Sequence, residues 1–207
     1  MAASSEQRVL QAGAGRVQAV LDAPAHTPLG LAVVAHPHPL FGGTMDNKVV
    51  QTLARACVAA GWLCLRFNFR GVGDSQGVYD EGRGETEDLL ALVSQLAPQG
   101  DVVLAGFSFG AFVACQAMQT LWPTGRLKKT ILVGTAVSHF PATPLPADAH
   151  ESSLLIHGEH DDTVALADVM NWARPQQLPV LVVPGGGHFF HGQLPLLKSL
   201  ALRHLRA

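Results

Sequence analysis

Short, unbroken runs of Val, Ile, Leu and Ala recur along the chain, and segments with helical periodicity lie between them. The clearest runs are 29–35, 102–105 and 130–133. Strands without polar alternation are buried on both faces, and strands that alternate with helices form a parallel sheet covered on each side. The pattern therefore predicts an α/β fold with a mostly parallel central sheet and helices on both faces.

The remaining segments extend this picture. Two short alternating runs, 8–12 and 16–21, are separated by Gly13 and Gly15, which predicts an antiparallel hairpin at the N-terminus. Asp46 stands where a helix N-cap is expected. Further strands are predicted at 62–69, 153–157 and 179–183, and helices at 47–60, 85–96, 110–121, 164–173 and 195–205.

Length and composition restrict the class of protein. The 207 residues suit a single domain, predicted as 1–207, because a chain of roughly 200 residues can bury a stable core. Hydrophobic residues make up 48% and charged residues only 14%, as expected for a sheet buried on both faces. A formal net charge of -2 without a Lys/Arg cluster argues against a nucleic-acid partner.

The cysteines and the N-terminal segment indicate the compartment. Cys57, Cys64 and Cys115 lie within apolar stretches, which favours buried free thiols in a reducing environment. Segment 1–7 has no basic region followed by an apolar run, and no apolar stretch approaches the roughly 18 residues of a membrane span. We expect a cytoplasmic protein without a membrane partner. The oligomeric state stays open.

One segment matches the pattern G-x-S-x-G in a distinctive setting. The apolar strand 102–105 leads into Gly106-Phe-Ser-Phe-Gly110, and a helical pattern follows. In a sharp strand-to-helix turn the serine hydroxyl is exposed above the sheet, and glycines are needed where neighbouring backbone comes close. The helix N-terminus favours developing negative charge, and the N–H of Phe109 can donate to an oxyanion. Ser108 is therefore the predicted nucleophile.

A second segment, Gly73-Asp-Ser-Gln-Gly77, matches the same pattern. It is followed by Val78-Tyr-Asp-Glu-Gly82, which is typical of a loop and not of a helix. A glycine-flanked serine without a strand before it and a helix after it is most simply a turn. The setting thus favours Ser108 over Ser75.

A serine hydroxyl is a weak nucleophile unless a histidine lies beside it and a carboxylate holds that histidine's tautomer. After such a strand-to-helix turn the acid comes first along the chain and the histidine second. Strand 153–157 runs into Gly158-Glu-His-Asp-Asp162, which puts carboxylates at the carboxyl end of a strand, where catalytic groups collect. Asp161 or Asp162 could supply the acid, and either could instead cap the following helix.

The next strand, 179–183, runs into Pro184-Gly-Gly-Gly-His188. This glycine-rich loop presents a histidine at the same edge of the sheet. On its own, His188 would be interpreted as a surface histidine. Because the acid and the histidine both occur in the required order and place, the sequence predicts a Ser-Asp-His triad.

The loop that begins His36-Pro-His-Pro-Leu40 follows an early central strand. This position suits the second donor of an oxyanion hole, the loop whose N–H joins that of the residue after the nucleophile. Prolines have no N–H, so the donor would be His38 or Leu40.

Metals and cofactors are not predicted. His36 and His38 match an H-x-H metal pattern, but no third ligand is evident. Gly-x-Gly fragments at 13–15 and 71–73 lack the full spacing of a dinucleotide or phosphate loop and are more simply turns.

With these residues in hand, the chain resembles the α/β-hydrolase superfamily over nearly its whole length. Its motifs are similar to those of small bacterial serine hydrolases without a lid, akin to dienelactone hydrolases. Dienelactone hydrolases proper use a cysteine nucleophile, so their substrate is not implied. The resemblance rests on His36-Pro-His-Pro, Leu40-Phe-Gly-Gly-Thr-Met-Asp-Asn-Lys, Arg66-Phe-Asn-Phe-Arg-Gly-Val-Gly, Gly106-Phe-Ser-Phe-Gly and His188-Phe-Phe-His.

The resemblance implies an α/β-hydrolase fold with Asp161 as the triad acid, because Asp161 stands three residues after Gly158 with Val164 three further on. Many members insert a helical cap after the strand that here ends near Val133. Only about 20 residues, several of them prolines, precede the strand that begins near Ser153, which is too short for a cap by ordinary loop lengths.

These observations lead to an expected function: a serine esterase that cleaves small carboxylic esters through an acyl-enzyme. A thioesterase or small amidase could use the same triad, and a non-catalytic binding module on this fold is the alternative from another class. Without a cap, the substrate pocket should be shallow and apolar. Its expected lining is Leu40, Phe41, Phe109, Phe140 and Phe189.

Overall fold

The N-terminal hairpin opens the fold in this computed structural model, which describes residues 4–207. Strands β1 (Ser4–Ala12) and β2 (Gly15–Ala23) pair antiparallel through a two-residue turn. The predicted hairpin is confirmed, and both strands are longer than the short alternating runs indicated. The first three residues, which belong to the predicted domain 1–207 and to segment 1–7, lie outside the described residues.

Across residues 4–207, eight strands form one sheet in the order β1-β2-β4-β3-β5-β6-β7-β8. β3 to β8 run parallel, and β2 pairs antiparallel with β4. This confirms the α/β class and the mostly parallel sheet. The elements after the hairpin are β3 (Leu31–Ala35), α1 (Lys48–Ala59), β4 (Leu63–Phe67), α2 (Arg83–Leu96), β5 (Val102–Phe107), α3 (Phe109–Leu121), β6 (Leu127–Val133), β7 (Ser153–Gly158), α4 (Leu166–Ala173), β8 (Val180–Val183) and α5 (Leu194–Arg206).

Helices cover both faces of the sheet, which explains the unbroken apolar strands. Val33 packs into the core formed with α2, α3 and α4, whereas its neighbour Val34 packs into the core formed with α1 and α5. Successive side chains of a strand point to opposite faces, so both neighbours must be apolar. Within residues 4–207, none of the helices combines the length and hydropathy needed to cross a membrane.

The start of α1 differs from the prediction. Asn47, and not Asp46, is the N-cap, and its side-chain oxygen accepts the N–H of Val49 at 2.8 Å. Asp46 instead accepts a hydrogen bond from Arg66 at 3.1 Å. The helix begins one residue later than predicted, and the capping side chain must reach the N–H two residues on.

The connection from β6 to β7 contains a single short 3-10 turn, Ala147–Ser152, and no cap. The carboxyl ends of the parallel strands are therefore not covered by an inserted domain. This confirms the prediction made from the length of the connection, and it leaves one edge of the sheet open around the candidate site.

Candidate active site

Ser108 occupies a strained turn between β5 and α3. Its φ of 56° and ψ of -115° are unfavourable for a residue with a side chain, and such strain costs about 1–3 kcal/mol. A Cβ at Gly106 would lie 2.2 Å from the carbonyl oxygen of Gly110, and one at Gly110 would lie 2.3 Å from that of Ala35. Both glycines are therefore required, because the turn brings backbone too close for a side chain.

The structure brings the three predicted residues together at this turn. His188 Nε2 lies 3.0 Å from Ser108 Oγ, and His188 Nδ1 lies 2.7 Å from Asp161 Oδ2. All three residues are at most 8% exposed. A carboxylate only accepts, so His188 donates its Nδ1–H to Asp161 and keeps Nε2 free to accept the hydroxyl proton of Ser108.

The loop after β7 orients the carboxylate of Asp161. Its Oδ1 accepts the N–H groups of Thr163 at 3.0 Å and Val164 at 2.7 Å, which leaves Oδ2 for His188. Burial opposes ionisation of Asp161, but these hydrogen bonds and the one from His188 outweigh it and hold the pKa of the carboxyl below its usual value. Asp161 is thus present as a carboxylate facing His188.

Asp162 has different surroundings. It is exposed, and its carboxylate contacts the hydroxyl of Thr163 at 3.4 Å. Helix α4 begins only at Leu166, with Ala165 at the N-cap position. Neither aspartate caps that helix, so the capping alternative for these residues is wrong.

Sequence reasoning missed His157, a fully buried residue near the end of β7. Its Nε2–H donates to the carbonyl oxygen of Val164 at 2.9 Å and lies 3.5 Å from Asp161 Oδ2. Burial lowers the pKa of His157 and favours the neutral ring. Both backbone groups of Val164 are therefore bonded, the N–H to Asp161 and the C=O to His157. A histidine within an apolar strand, just before the loop that carries the acid, was the available signal.

His36 and its loop lie beside the elbow. Its Nε2 accepts the N–H of Phe69 at 2.9 Å, and its Nδ1–H donates to the carbonyl oxygen of Pro37 at 2.6 Å. Burial lowers the pKa of His36 to about 4. Both ring nitrogens are thus engaged in holding the loop. In residues 4–207, no group of three or more His, Cys, Asp or Glu side chains is arranged to hold a metal ion.

The structure distinguishes the two N–H groups considered for the oxyanion. The N–H of Leu40 donates to Nδ1 of His38 at 3.2 Å and is engaged within its own turn. Among the described residues, no acceptor bonds the N–H of His38 or that of Phe109. The rings of His38 and Phe109 are 5.1 Å apart, which places the two loops side by side.

The predicted pocket residues have several different settings. The ring of Phe109 is fully buried in the core and does not line an open pocket. Phe140 is half-buried and packs on Phe109 at 5.1 Å, and Phe189 packs against the ring of His188 at 5.1 Å. Leu40 and Phe41 are 67% and 86% exposed. Leu40, Phe41, Phe140 and Phe189, but not the buried Phe109, form a partly exposed apolar rim beside His38 and His188.

A cavity of about 740 Å³ adjoins this rim and was not predicted. Phe140 forms part of its wall, and Tyr79, another wall residue, lies 5.0 Å from the ring of His38. The lining combines aromatic side chains with polar and charged ones. Further lining residues are Arg83, Glu87, Phe112, Gln116 and His139.

The comparison with known proteins agrees with this fold. The model of the alpha/beta hydrolase fold family matches residues 38–152, and the chain therefore belongs to that family. An uncharacterised protein of Rickettsia prowazekii is 33% identical over 180 residues, which cover 77% of this chain and 71% of that protein.

Two solved structures narrow the class. An alpha-beta serine hydrolase homologue from Coxiella burnetii is 36% identical, with a TM-score of 0.85 and 97% of each chain covered. A serine hydrolase without a lid from Xanthomonas campestris is 32% identical, with a TM-score of 0.86 and coverage of 98% of this chain and 94% of that one. The present chain is a small lidless α/β hydrolase, and its fold and relatives support hydrolase activity.

Proposed function

We propose that this protein is a serine esterase that cleaves small carboxylic esters through an acyl-enzyme. The observation that carries the proposal is the series of hydrogen bonds from Asp161 through His188 to Ser108, at 2.7 Å and 3.0 Å, with Ser108 on a strained elbow. The proposed nucleophile, base and orienting acid are thus within hydrogen-bond distance of one another without substrate. That arrangement is the general requirement for nucleophilic acyl transfer.

In the proposed reaction Ser108 Oγ attacks the ester carbonyl while His188 Nε2 takes the hydroxyl proton. The tetrahedral intermediate collapses, His188 returns the proton to the leaving alkoxide, and the acyl group stays on Ser108. Water then attacks the acyl-enzyme with His188 as base, which releases the acid and restores the serine. Asp161 stabilises the imidazolium in both halves and holds the tautomer.

The N–H groups of Phe109 and His38 are the proposed oxyanion donors. Both are free of other acceptors among residues 4–207, whereas that of Leu40 is engaged by His38 Nδ1. Phe109 is also the first residue of α3, so the helix dipole adds to the stabilisation of negative charge. Removal of one preorganised donor of this kind typically lowers kcat by about 10²–10³-fold.

The open, apolar rim supports a preference for short acyl chains. Each methylene bound in an apolar pocket can contribute about 0.8 kcal/mol, so kcat/KM should rise over the first carbons and level off beyond the wall around Phe140 and Phe189. Since no cap covers the site, the rate should not jump when substrate exceeds its solubility. A chain-length series of p-nitrophenyl esters measures both, and an optimum at long chains would contradict this pocket.

The proposed nucleophile is tested by fluorophosphonate labelling and mass spectrometry of wild type, Ser108→Ala and a control, Ser94→Ala, which changes an exposed serine of α2. We expect one label on Ser108, lost only in Ser108→Ala. A label on another serine would overturn the assignment. Parallel assays with thioesters and amides of the same acyl group test the substrate class, and a higher kcat/KM for either would reassign it.

A further inference from the structure

β1 is an exposed strand at one end of the sheet. It is nine residues long, residues 4–9 are all exposed, and it contains no proline. β8, at the opposite end, has four residues. A long edge strand without proline or a bulge presents unpaired N–H and C=O groups that can pair with another chain.

The contacts of β2 show which backbone groups of β1 are free. The N–H of Gln18 bonds Ser75 Oγ at 2.9 Å and its C=O accepts the N–H of Asn68 at 2.8 Å, so Gln18 faces away from β1. Backbone groups alternate in direction along an antiparallel strand, so Val17 and Ala19 face β1. They lie opposite even-numbered residues of β1, Leu10 and Arg8.

It follows that the odd-numbered residues of β1 direct their N–H and C=O groups outward. Ser5, Gln7 and Val9 form this row. Among the described residues, no strand pairs with that side of β1. The outward row is therefore available as a template for one further antiparallel strand.

We propose that two copies of this chain pair through β1, antiparallel about a two-fold axis at Gln7. In this register Gln7 lies opposite the partner's Gln7, and Ser5 lies opposite the partner's Val9, with all these backbone groups directed at one another. Glu6 then lies opposite the partner's Arg8, at a non-hydrogen-bonded position where facing side chains are closest. Each two-fold interface contains this oppositely charged pair twice.

The charges select this register over its neighbours. Antiparallel registers that keep the outward groups facing one another are related by shifting one strand by two residues. Each such shift moves the two-fold axis by one residue along β1. An axis at Glu6 or at Arg8 puts identical charges opposite each other, and an axis at Ser5 or Val9 puts both charges opposite uncharged residues. The Gln7 axis matches Glu6 with the opposite charge, and like charges directly opposite are destabilising. Glu6 and Arg8 already bond each other at 2.8 Å within the chain, on the same exposed face.

Sedimentation of the 207-residue protein tests the proposal, together with three variants. Gln7→Pro removes an outward N–H and leaves the bonds of β1 to β2 intact, because proline is tolerated where the N–H faces solvent. Arg8→Glu puts like charges opposite each other, and the exchange Glu6→Arg with Arg8→Glu restores the match. Unfolding curves of every variant verify that the hairpin is retained.

We expect a dimer for wild type and a monomer for Gln7→Pro. Arg8→Glu should raise the dimer dissociation constant by about tenfold or more, and the charge exchange should bring it back to within about threefold of wild type. Wild type that stays monomeric at high micromolar concentration would overturn the proposal, as would a dimer unaffected by Gln7→Pro. A charge exchange that fails to restore binding would overturn the register. Ester hydrolysis should be the same in all variants, because β1 lies outside the site.

Discussion

The chain contains the pattern G-x-S-x-G twice, and the two serines have opposite settings. Ser108 lies between a buried strand and a helix, at φ 56°, with its Oγ 3.0 Å from His188 Nε2. Ser75 lies in a loop, where its Oγ donates to the carbonyl oxygen of Asn68 at 2.7 Å and accepts the N–H of Gln18 at 2.9 Å. Both are 6% exposed, so burial does not distinguish them.

The difference lies in what the hydroxyl proton can do. Ser75 gives its proton to a carbonyl oxygen, which is no base, and its own oxygen is occupied by an N–H. Ser108 faces an imidazole nitrogen that can take the proton. The serine of the same local pattern therefore links β2 to a loop by hydrogen bonds in one place and is a candidate nucleophile in the other. His36 connects the two regions, since it lies in the loop that carries the proposed oxyanion donor His38 and accepts the N–H of Phe69, next to Asn68.

The largest difference should come from removing each hydroxyl. We expect Ser108→Ala to lower kcat by about 10⁶-fold, the scale on which loss of a catalytic serine acts, and Ser75→Ala to keep kcat per folded molecule. Steady-state hydrolysis of a p-nitrophenyl ester measures both. Equal losses in the two variants would remove the distinction between the segments.

Ser108 faces a base, His188, and that base is in turn bonded to Asp161, whereas Ser75 faces no base. Asp161→Asn should lower kcat by about 10⁴-fold through loss of the correct imidazole tautomer. Asp162→Asn is the matched control, because that side chain is exposed and does not contact His188. A larger loss in the control would show that the neighbouring aspartate orients the histidine.

The connection through His36 should appear in the pH dependence of stability. Its folded pKa of about 4 lies below its ordinary value of 6.5, so as pH falls the unfolded chain binds the proton first. This stability is present above pH 6.5 and falls between pH 6.5 and 4, by about 3 kcal/mol at 1.36 kcal/mol per unit. Denaturant unfolding across this range, for wild type and His36→Gln, isolates the contribution. An unchanged slope in the variant would contradict it.

The smallest effect is expected on stability, from loss of the two hydrogen bonds of the Ser75 hydroxyl. Ser75→Ala leaves the N–H of Gln18 without its buried acceptor, so the free energy of unfolding should fall by about 2 kcal/mol. Ser94→Ala, at an exposed helix position, should change it by less than about 0.5 kcal/mol. Urea unfolding curves compare the two, and equal values would mean that the Ser75 bonds do not hold the loop.

The site was predictable where local patterns and chain order carry the information. A strand, a glycine-flanked serine and a helix define the elbow. The ends of β7 and β8 lie on the same edge of the sheet as the elbow, so chain order alone makes Asp161 and His188 candidates. Sequence reasoning missed His157, because a histidine within an apolar strand does not reveal which backbone group it binds. It also missed the cavity beside Phe140, which is formed by segments far apart in the chain.

What the sequence determined by itself is the alternation of buried strands with helices, the elbow at Ser108 and the shortness of the β6–β7 connection. These follow from periodicity and from the backbone freedom of glycine, both local properties. Only the tertiary structure decided which N–H groups stay free beside the elbow, and how the Asp161 carboxylate divides its oxygens between His188 and the loop. Directions of this kind depend on how the chain packs, as where Ala35 lies against Gly110, far along the chain, or where His157 meets Val164 across a loop. No local pattern encodes such contacts.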